Sequence, residues 1–168
     1  YIDYFGVKTG KNISLFTNND SAYETAVSLK RSGVNVNVVI DIRESSDSNI
    51  VKEAQTLGIK IVWGHTIVET NGYKRIKSFE AMKLSSDGGN VVGNKIKFNS
   101  DCIGMSGGWT PMVHMYTQSG GKLQFKSNDK IFIPDETKTP SEQISVGSCN
   151  GDFELDDVVN NTIYNVKK

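Results

Sequence analysis

Residues 13–41 read ISLFTNNDSAYETAVSLKRSGVNVNVVID, and the class of fold follows from this stretch. Residues 12–17 form a short apolar run suited to a buried strand, and Asn18, Asn19 and Asp20 are residues that turn a chain easily. A helix is expected next. Ser21 followed by Glu24 has the form of a capping box, Ala22, Ala26 and Leu29 share one face, and Lys30 and Arg31 precede a stop at Gly33. Residues 34–42 are a nearly unbroken apolar block, the pattern of a parallel strand covered by helices on both faces. Such a strand-helix-strand unit makes a right-handed connection.

Residues 48–57 repeat the pattern. Ile50, Val51, Ala54 and Leu57 lie on one helical face, Gly58 is the stop, and residues 59–63 supply a third strand, giving βαβαβ. The rhythm changes after Gly64. Runs at 66–69 and 73–84 flank Thr70-Asn71-Gly72, and Asn-Gly between strand-like runs predicts a hairpin turn. Residues 85–90 read as a second turn, 95–98 as a return strand, and 102–106 as a buried strand ending in Gly107-Gly108. A helix is expected from Pro111 through His114 and Tyr116 to Gly120, and a last one from Leu155. The expected class is therefore α/β, a three-layer Rossmann-like parallel sheet with an antiparallel β-meander.

Composition narrows the function classes. The 168 residues are 37% hydrophobic and 23% charged, enough apolar material for a real core. Nineteen basic residues balance nineteen acidic ones and are scattered, so no field draws the chain to nucleic acid or an anionic membrane; a small molecule or a protein is the expected partner. Apolar runs are of strand length, which predicts no membrane span. The chain opens at Tyr1 without Met or a leader, as expected of a piece of a longer gene product. Cys102 and Cys149 form no CxxC and have no nearby His at ligand spacing, so no metal site is expected, and reduced thiols fit a cytoplasmic protein.

The glycine fingerprint of dinucleotide-binding folds serves a tight turn, backbone approach to a pyrophosphate, and close helix packing. Here Thr17, Asn19 and Ala22 stand in its place. Asn tolerates the turn, but its side chain obstructs the approach that a middle glycine permits, and Asp20 sets a negative charge where a helix N-terminus attracts anions. Asp41 follows Ala22 by 19 residues, where an acid takes the ribose 2′-hydroxyl, and Arg43 leaves a phosphorylated ribose open. Thr17, Asn18, Asn19, Asp20, Ser21 and Asp41 are thus candidate cofactor-binding residues; the plain alternative makes Asp20 a cap and Asp41 a strand-end residue. Gly107 and Gly108 join them, because ligands favour glycine-rich strand ends, although a tight turn packed by Trp109 explains the same residues. Gly147 and Gly151 form a second small-residue turn. His65 and His114 have no recognisable catalytic partner, so no catalytic residue is assigned.

The order of elements resembles the NAD-binding half of two-dinucleotide flavoproteins such as the disulfide reductases. Particular stretches sharpen this: Tyr4-Phe5-Gly6-Val7 with Gly10, Phe16 through Tyr23, Val39-Ile40-Asp41-Ile42-Arg43, Ser106 through His114, Gln118 through Leu123, and Val146 to Leu155. They resemble the alpha subunit of heterotetrameric sarcosine oxidase across nearly the whole chain. The resemblance implies an enzyme complex that oxidises the N-methyl group of sarcosine to give glycine and hydrogen peroxide, passing the one-carbon unit to tetrahydrofolate. FAD, FMN and NAD are its cofactors, and the other subunits of the heterotetramer are the implied partners. The amine-oxidising flavin site belongs to another subunit, so the isolated chain is expected to be inactive. Analogy with the two-dinucleotide flavoproteins implies that residues 1–10 end a preceding nucleotide-binding domain, 11–106 form the Rossmann-like domain, and 107–168 return to the first, with Gly147 and Gly151 touching its nucleotide. Two other readings stand beside this one: a scaffold or interaction module with a degenerate nucleotide site, and the alpha subunit of a related N-methyl amine or imino acid dehydrogenase. An independent NAD(P)-dependent reductase has the missing catalytic set against it.

Overall fold

Strands β1 (Asn12–Thr17), β2 (Asn35–Asp41), β3 (Ile61–Trp63) and β7 (Cys102–Ser106) form a parallel sheet in the order β3-β2-β1-β7. The computed structural model describes residues 1–127, 130–139 and 143–166. Helices α2 (Ser21–Arg31) and α3 (Asn49–Thr56) make the crossovers from β1 to β2 and from β2 to β3. Strands β4 (His65–Gly72), β5 (Ile76–Leu84) and β6 (Val91–Asn99) form the antiparallel meander that precedes β7. These elements, with a short N-terminal helix α1 (Ile2–Phe5), make one compact unit, Tyr1–Gly108.

The apolar block in β2 is explained by cover on both faces, but the two covers differ. One face packs Ile13, Leu15, Val36 and Val39 against Tyr23, Ala26 and Val27 of α2 and Val51 and Ala54 of α3. The opposite face packs Val38 and Ile40 against Phe79 and Ala81 of β5 and Phe98 of β6. Helices on both faces were the expectation; the meander replaces the second helical layer. A register shift between Ile13 and Ser14 skips Asn37 in the pairing, which is how Val36 and Val39 come to face the same side. Phe79 and Phe98, opposite one another on β5 and β6, stack with ring centroids 5.3 Å apart, and this aromatic pair is the meander surface that meets Val38 and Ile40 of the parallel sheet.

Three expectations are corrected. The β4–β5 reversal lies at residues 73–75, and Asn71 and Gly72 are strand residues paired with Ser78 and Ile76. Gly72 is needed there for another reason: a Cβ would fall 2.2 Å from the Arg75 carbonyl oxygen. Ser21 and Glu24 form no capping box, because the helix begins at Ser21 itself and Asp20 holds the cap position without a side-chain cap bond. Only α4 (His114–Gln118) forms in the stretch expected to be helical from Pro111 to Gly120.

The second unit, Trp109–Lys168, contains α4, a hairpin of β8 (Leu123–Lys126) and β9 (Ile131–Pro134), two short 3-10 turns at Glu136–Lys138 and Gly147–Asn150, and α5 (Leu155–Val166). Tyr116 is its buried anchor: the hydroxyl donates to the Asp135 carbonyl at 2.8 Å, and Gly121 lies so close that a Cβ would come within 2.4 Å of the ring. The end of the expected return segment, Lys168, lies outside the described residues.

Phe79→Ala removes a fully buried ring from the layer between meander and sheet, so it should lower unfolding stability by about 3–5 kcal/mol. Urea denaturation followed by far-UV circular dichroism measures this, and an unchanged midpoint would show that the meander is not held by this cluster.

Candidate functional site

The carboxyl ends of three strands lie level. Thr17 pairs with Asp41 on one side and with Ser106 on the other. Because the chain leaves β1 for β2 on one side and returns at β7 on the other, this is a topological switch point, where open α/β sheets form ligand crevices. A cleft of about 110 Å³ lies there, lined by Phe16, Thr17, Asn18, Ile42, Met105, Ser106 and Gly107. Three of the sequence-derived candidates line it, Thr17, Asn18 and Gly107, and two more, Asn19 and Gly108, adjoin them. Gly108, left-handed with φ 89°, sits beside the side chains of Asn18 and Asn19, where a Cβ would make ordinary contact with Asn18 Oδ1 at 3.5 Å and Asn19 Nδ2 at 3.6 Å, so it is the backbone conformation that favours glycine here.

The turn after β1 is held by its own side chains. Thr17 Oγ1 accepts from the Asn19 backbone N–H at 3.1 Å. The Asn19 amide then spans the crevice, Nδ2 donating to the carbonyl and hydroxyl oxygens of Ser106, each at 3.2 Å, and to Asn18 Oδ1 at 2.9 Å. Its Oδ1 accepts from the Ser21 hydroxyl at 2.6 Å. Where a fingerprint glycine leaves open space for a pyrophosphate, a fully bonded side chain stands.

Asp41 differs most from expectation. Its side chain is fully buried, and both oxygens are engaged. Oδ1 accepts from the Arg43 backbone N–H at 2.9 Å and from Arg43 Nε at 3.1 Å. Oδ2 accepts from the Tyr23 hydroxyl and from the Arg43 guanidinium, both at 2.8 Å. The same guanidinium donates to Asp20 at 2.7 Å, and Ser46 donates to Asp20 at 3.0 Å. Burial first, and then the adjacent Asp41 charge, push the Tyr23 phenol far above its ordinary range, so it remains a donor. Burial opposes the charge on Arg43, but its bonds to Asp41 and Asp20 outweigh this and keep it cationic. Burial also acts against ionised Asp20, yet the bonds from Arg43 and Ser46 prevail and hold its carboxyl below the ordinary value of 3.8.

The residues present therefore do not fit a dinucleotide held in the expected manner. The Asp41 carboxylate faces inward with its acceptors occupied, Arg43 is committed to two carboxylates, and Asp20 brings negative charge to the start of α2. Tyr23 and Ser46 are the members that sequence reasoning missed, since neither occupies a position of the glycine fingerprint. Gly147 and Gly151 belong to the second unit, where both are left-handed. Gly151 packs on Ile131 and Ile133 of the hairpin, and Gly147 on Val158 of α5. His65 Nδ1 lies 2.6 Å from the Trp63 carbonyl oxygen, and both cysteines are free.

The sarcosine oxidase subunit alpha of Corynebacterium sp. (strain P-1) is 31% identical over 156 residues, which is 92% of this chain. That of Corynebacterium sp. (strain U-96) is 31% identical over 80% of the chain, and that of Rhizobium meliloti (strain 1021) 27% identical over 79%. The chain is a relative of the sarcosine oxidase alpha subunits. It spans 16%, 14% and 12% of the lengths of these three alpha subunits. No family model matches it. Among solved structures, thioredoxin reductase of T. acidophilum superposes with a TM-score of 0.68 at 17% identity, over 90% of this chain and 49% of the other. A bacillithiol disulfide reductase from Staphylococcus aureus gives 0.56 at 12% identity, over 95% of this chain and 52% of the other. The fold is thus the Rossmann-like sheet with antiparallel meander found in these reductases. No helix among the described residues is long and apolar enough to cross a membrane.

Two outcomes are expected from the carboxylate cluster. Arg43→Met leaves Asp41 buried without its cation and should cost about 3–5 kcal/mol, whereas Arg43→Met with Asp41→Asn should recover part of that loss, read by urea denaturation. If the double variant is no more stable than the single one, the buried charge is not the cause. For Asp20, whose folded pKa is depressed, the stabilisation is complete above 3.8 and is lost as pH falls through the lower folded value. Asp20→Asn should therefore lower the melting temperature at pH 7 by about 2–4 °C, corresponding to about 1 kcal/mol for a partly exposed pair. The gap between variant and parent should narrow as melts are recorded at pH values progressively below 3.8.

Proposed function

We propose that this chain is the Rossmann-type domain, with part of the adjoining nucleotide-binding domain, of the alpha subunit of a sarcosine oxidase-like flavoenzyme complex. In that complex sarcosine is oxidatively demethylated to glycine with hydrogen peroxide, linked to tetrahydrofolate. FAD and FMN serve the whole assembly, and the remaining subunits of the heterotetramer are the partners. The chain's own part is that of a dinucleotide-binding-type scaffold whose crevice is closed by side chains. The saturation of buried Asp41 by Tyr23 and Arg43 carries this reading, because it withdraws the group that would recognise a ribose.

In this reading residues 1–10 and 107–168 belong to the first nucleotide-binding domain, and 11–106 are inserted into it. Exposed Leu155, Val159 and Ile163 support that division, since they recur every four residues along α5 and form an apolar stripe suited to further protein. A second reading, NAD held at the crevice by Thr17, Asn18, Asn19, Asp20, Ser21, Gly107 and Gly108, is favoured by the cleft at the switch point. There Asp41 would have to exchange Arg43 for a ribose hydroxyl.

Isothermal titration with NAD separates the two. The closed-crevice reading expects no saturable binding below about 1 mM. Tighter binding that Asp41→Ala weakens would overturn it in favour of the second. Membership in the complex is tested on the full-length gene product, which should carry further nucleotide- and folate-binding segments and turn over sarcosine when expressed with its partner subunits.

A further inference from the structure

A second cleft lies at the amino-terminal end of the same sheet, lined by Lys8, Gly10, Lys11, Gly33, Val34, Asn35 and Arg75. Its volume, about 470 Å³, falls within the range of small-molecule sites. Lys8, Gly10 and Lys11 precede β1, Gly33 and Val34 precede β2, Asn35 opens it, and Arg75 sits on the β4–β5 reversal. β1 separates this cleft from the crevice at Thr17 by roughly 20 Å at the usual rise per strand residue.

The charges here are unbalanced in one direction. The ammonium groups of Lys8 and Lys11 have no carboxylate partner among the described residues. Asp101 is the acid nearest Arg75, at 3.9 Å, the outer limit of an ion pair. Its carboxylate is already committed elsewhere, accepting the backbone N–H groups of Lys11 at 2.9 Å and Asn12 at 2.9 Å. Those bonds anchor the Gly10–Asn12 segment against the start of β7, and Gly10 is required there because a Cβ would fall 2.6 Å from Asp101 Oδ1. The backbone carrying Lys11 is thus fixed, while Arg75 contributes a planar fork of donors suited to phosphate oxygens.

The geometry points to this cleft as a binding site for a small, multiply charged phosphate compound, held by Lys8, Lys11 and Arg75. Two point charges and one guanidinium around a single concavity match an anion carrying more than one negative charge. The site is independent of whether the crevice at the other end of the sheet holds a nucleotide.

Inorganic pyrophosphate is the probe, titrated into the full chain at constant ionic strength, with sulfate as a shorter anion of lower charge for comparison. Saturable one-to-one binding is expected, with amide shifts at Gly10, Lys11, Gly33 and Asn35 in nitrogen-15 spectra. Arg75→Gln, and separately Lys8→Gln with Lys11→Gln, should weaken it at least tenfold, while Lys52→Gln, an exposed charge on α3, should not. The same spectra verify that each variant is folded. No saturation below about 10 mM, shifts centred on the Thr17 to Ala22 turn, or equal weakening by Lys52→Gln would overturn the assignment.

Discussion

Asp41 stands in the one place of the first unit where an acidic side chain is wholly removed from water. Leaving a carboxylate there without partners would cost several kcal/mol, so its surroundings are obliged to supply donors. They come from two directions: a phenol on α2 and a guanidinium with its own backbone N–H just beyond β2. This obligation fixes the first turn of α2 against the end of β2, and through Arg43 it extends to Asp20 and the loop carrying Ser46. Trp63 at the end of β3 stacks on Tyr23, with centroids 6.2 Å apart, so the third strand is drawn into the same cluster.

Asn19 follows from the same rearrangement. In a working fingerprint the middle position is empty space, and the anion is stabilised by helix N–H groups. With Asp20 beside it and Asp41 behind, an incoming pyrophosphate would meet two carboxylates balanced by one guanidinium. A neutral amide avoids this conflict: it satisfies Ser106 across the switch point and accepts from Ser21 without adding charge. The turn after β1 is thus tied to the end of β7 by groups whose donors and acceptors answer one another.

Much of the parallel half was legible because its signals are local. Apolar runs, the face shared by Ala22, Ala26 and Leu29, and stops at Gly33 and Gly58 mark β1, α2, β2 and α3 to within a residue or two. The turn signal at Asn71-Gly72 falls a few residues early because the glycine sits at the last strand pair before the reversal, where the returning backbone of Arg75 and Ile76 passes too close for a Cβ, and not in the reversal itself. The β8–β9 hairpin went unread because each strand has four residues, too few for alternation to declare itself. At the site, sequence located Thr17 to Ser21 and Asp41 but not their engagement. The bond from Tyr23 crosses 18 residues, and nothing in the spacing of a helical tyrosine says that its hydroxyl reaches the next strand.

The equal count of acids and bases conceals a division along the sheet. Parallel α/β sheets ordinarily attract anions at the carboxyl ends of their strands, where helix N-termini and open glycine turns point outward. Here that end carries Asp20 and Asp41 around a single Arg43, while Lys8, Lys11 and Arg75 gather at the opposite end around one committed carboxylate. Local field, not net charge, governs which end an anion approaches, and within a Debye length of about 8 Å each end is felt separately. A handful of side chains thus sets carboxylates at the end of the sheet where anions usually bind and cations at the other.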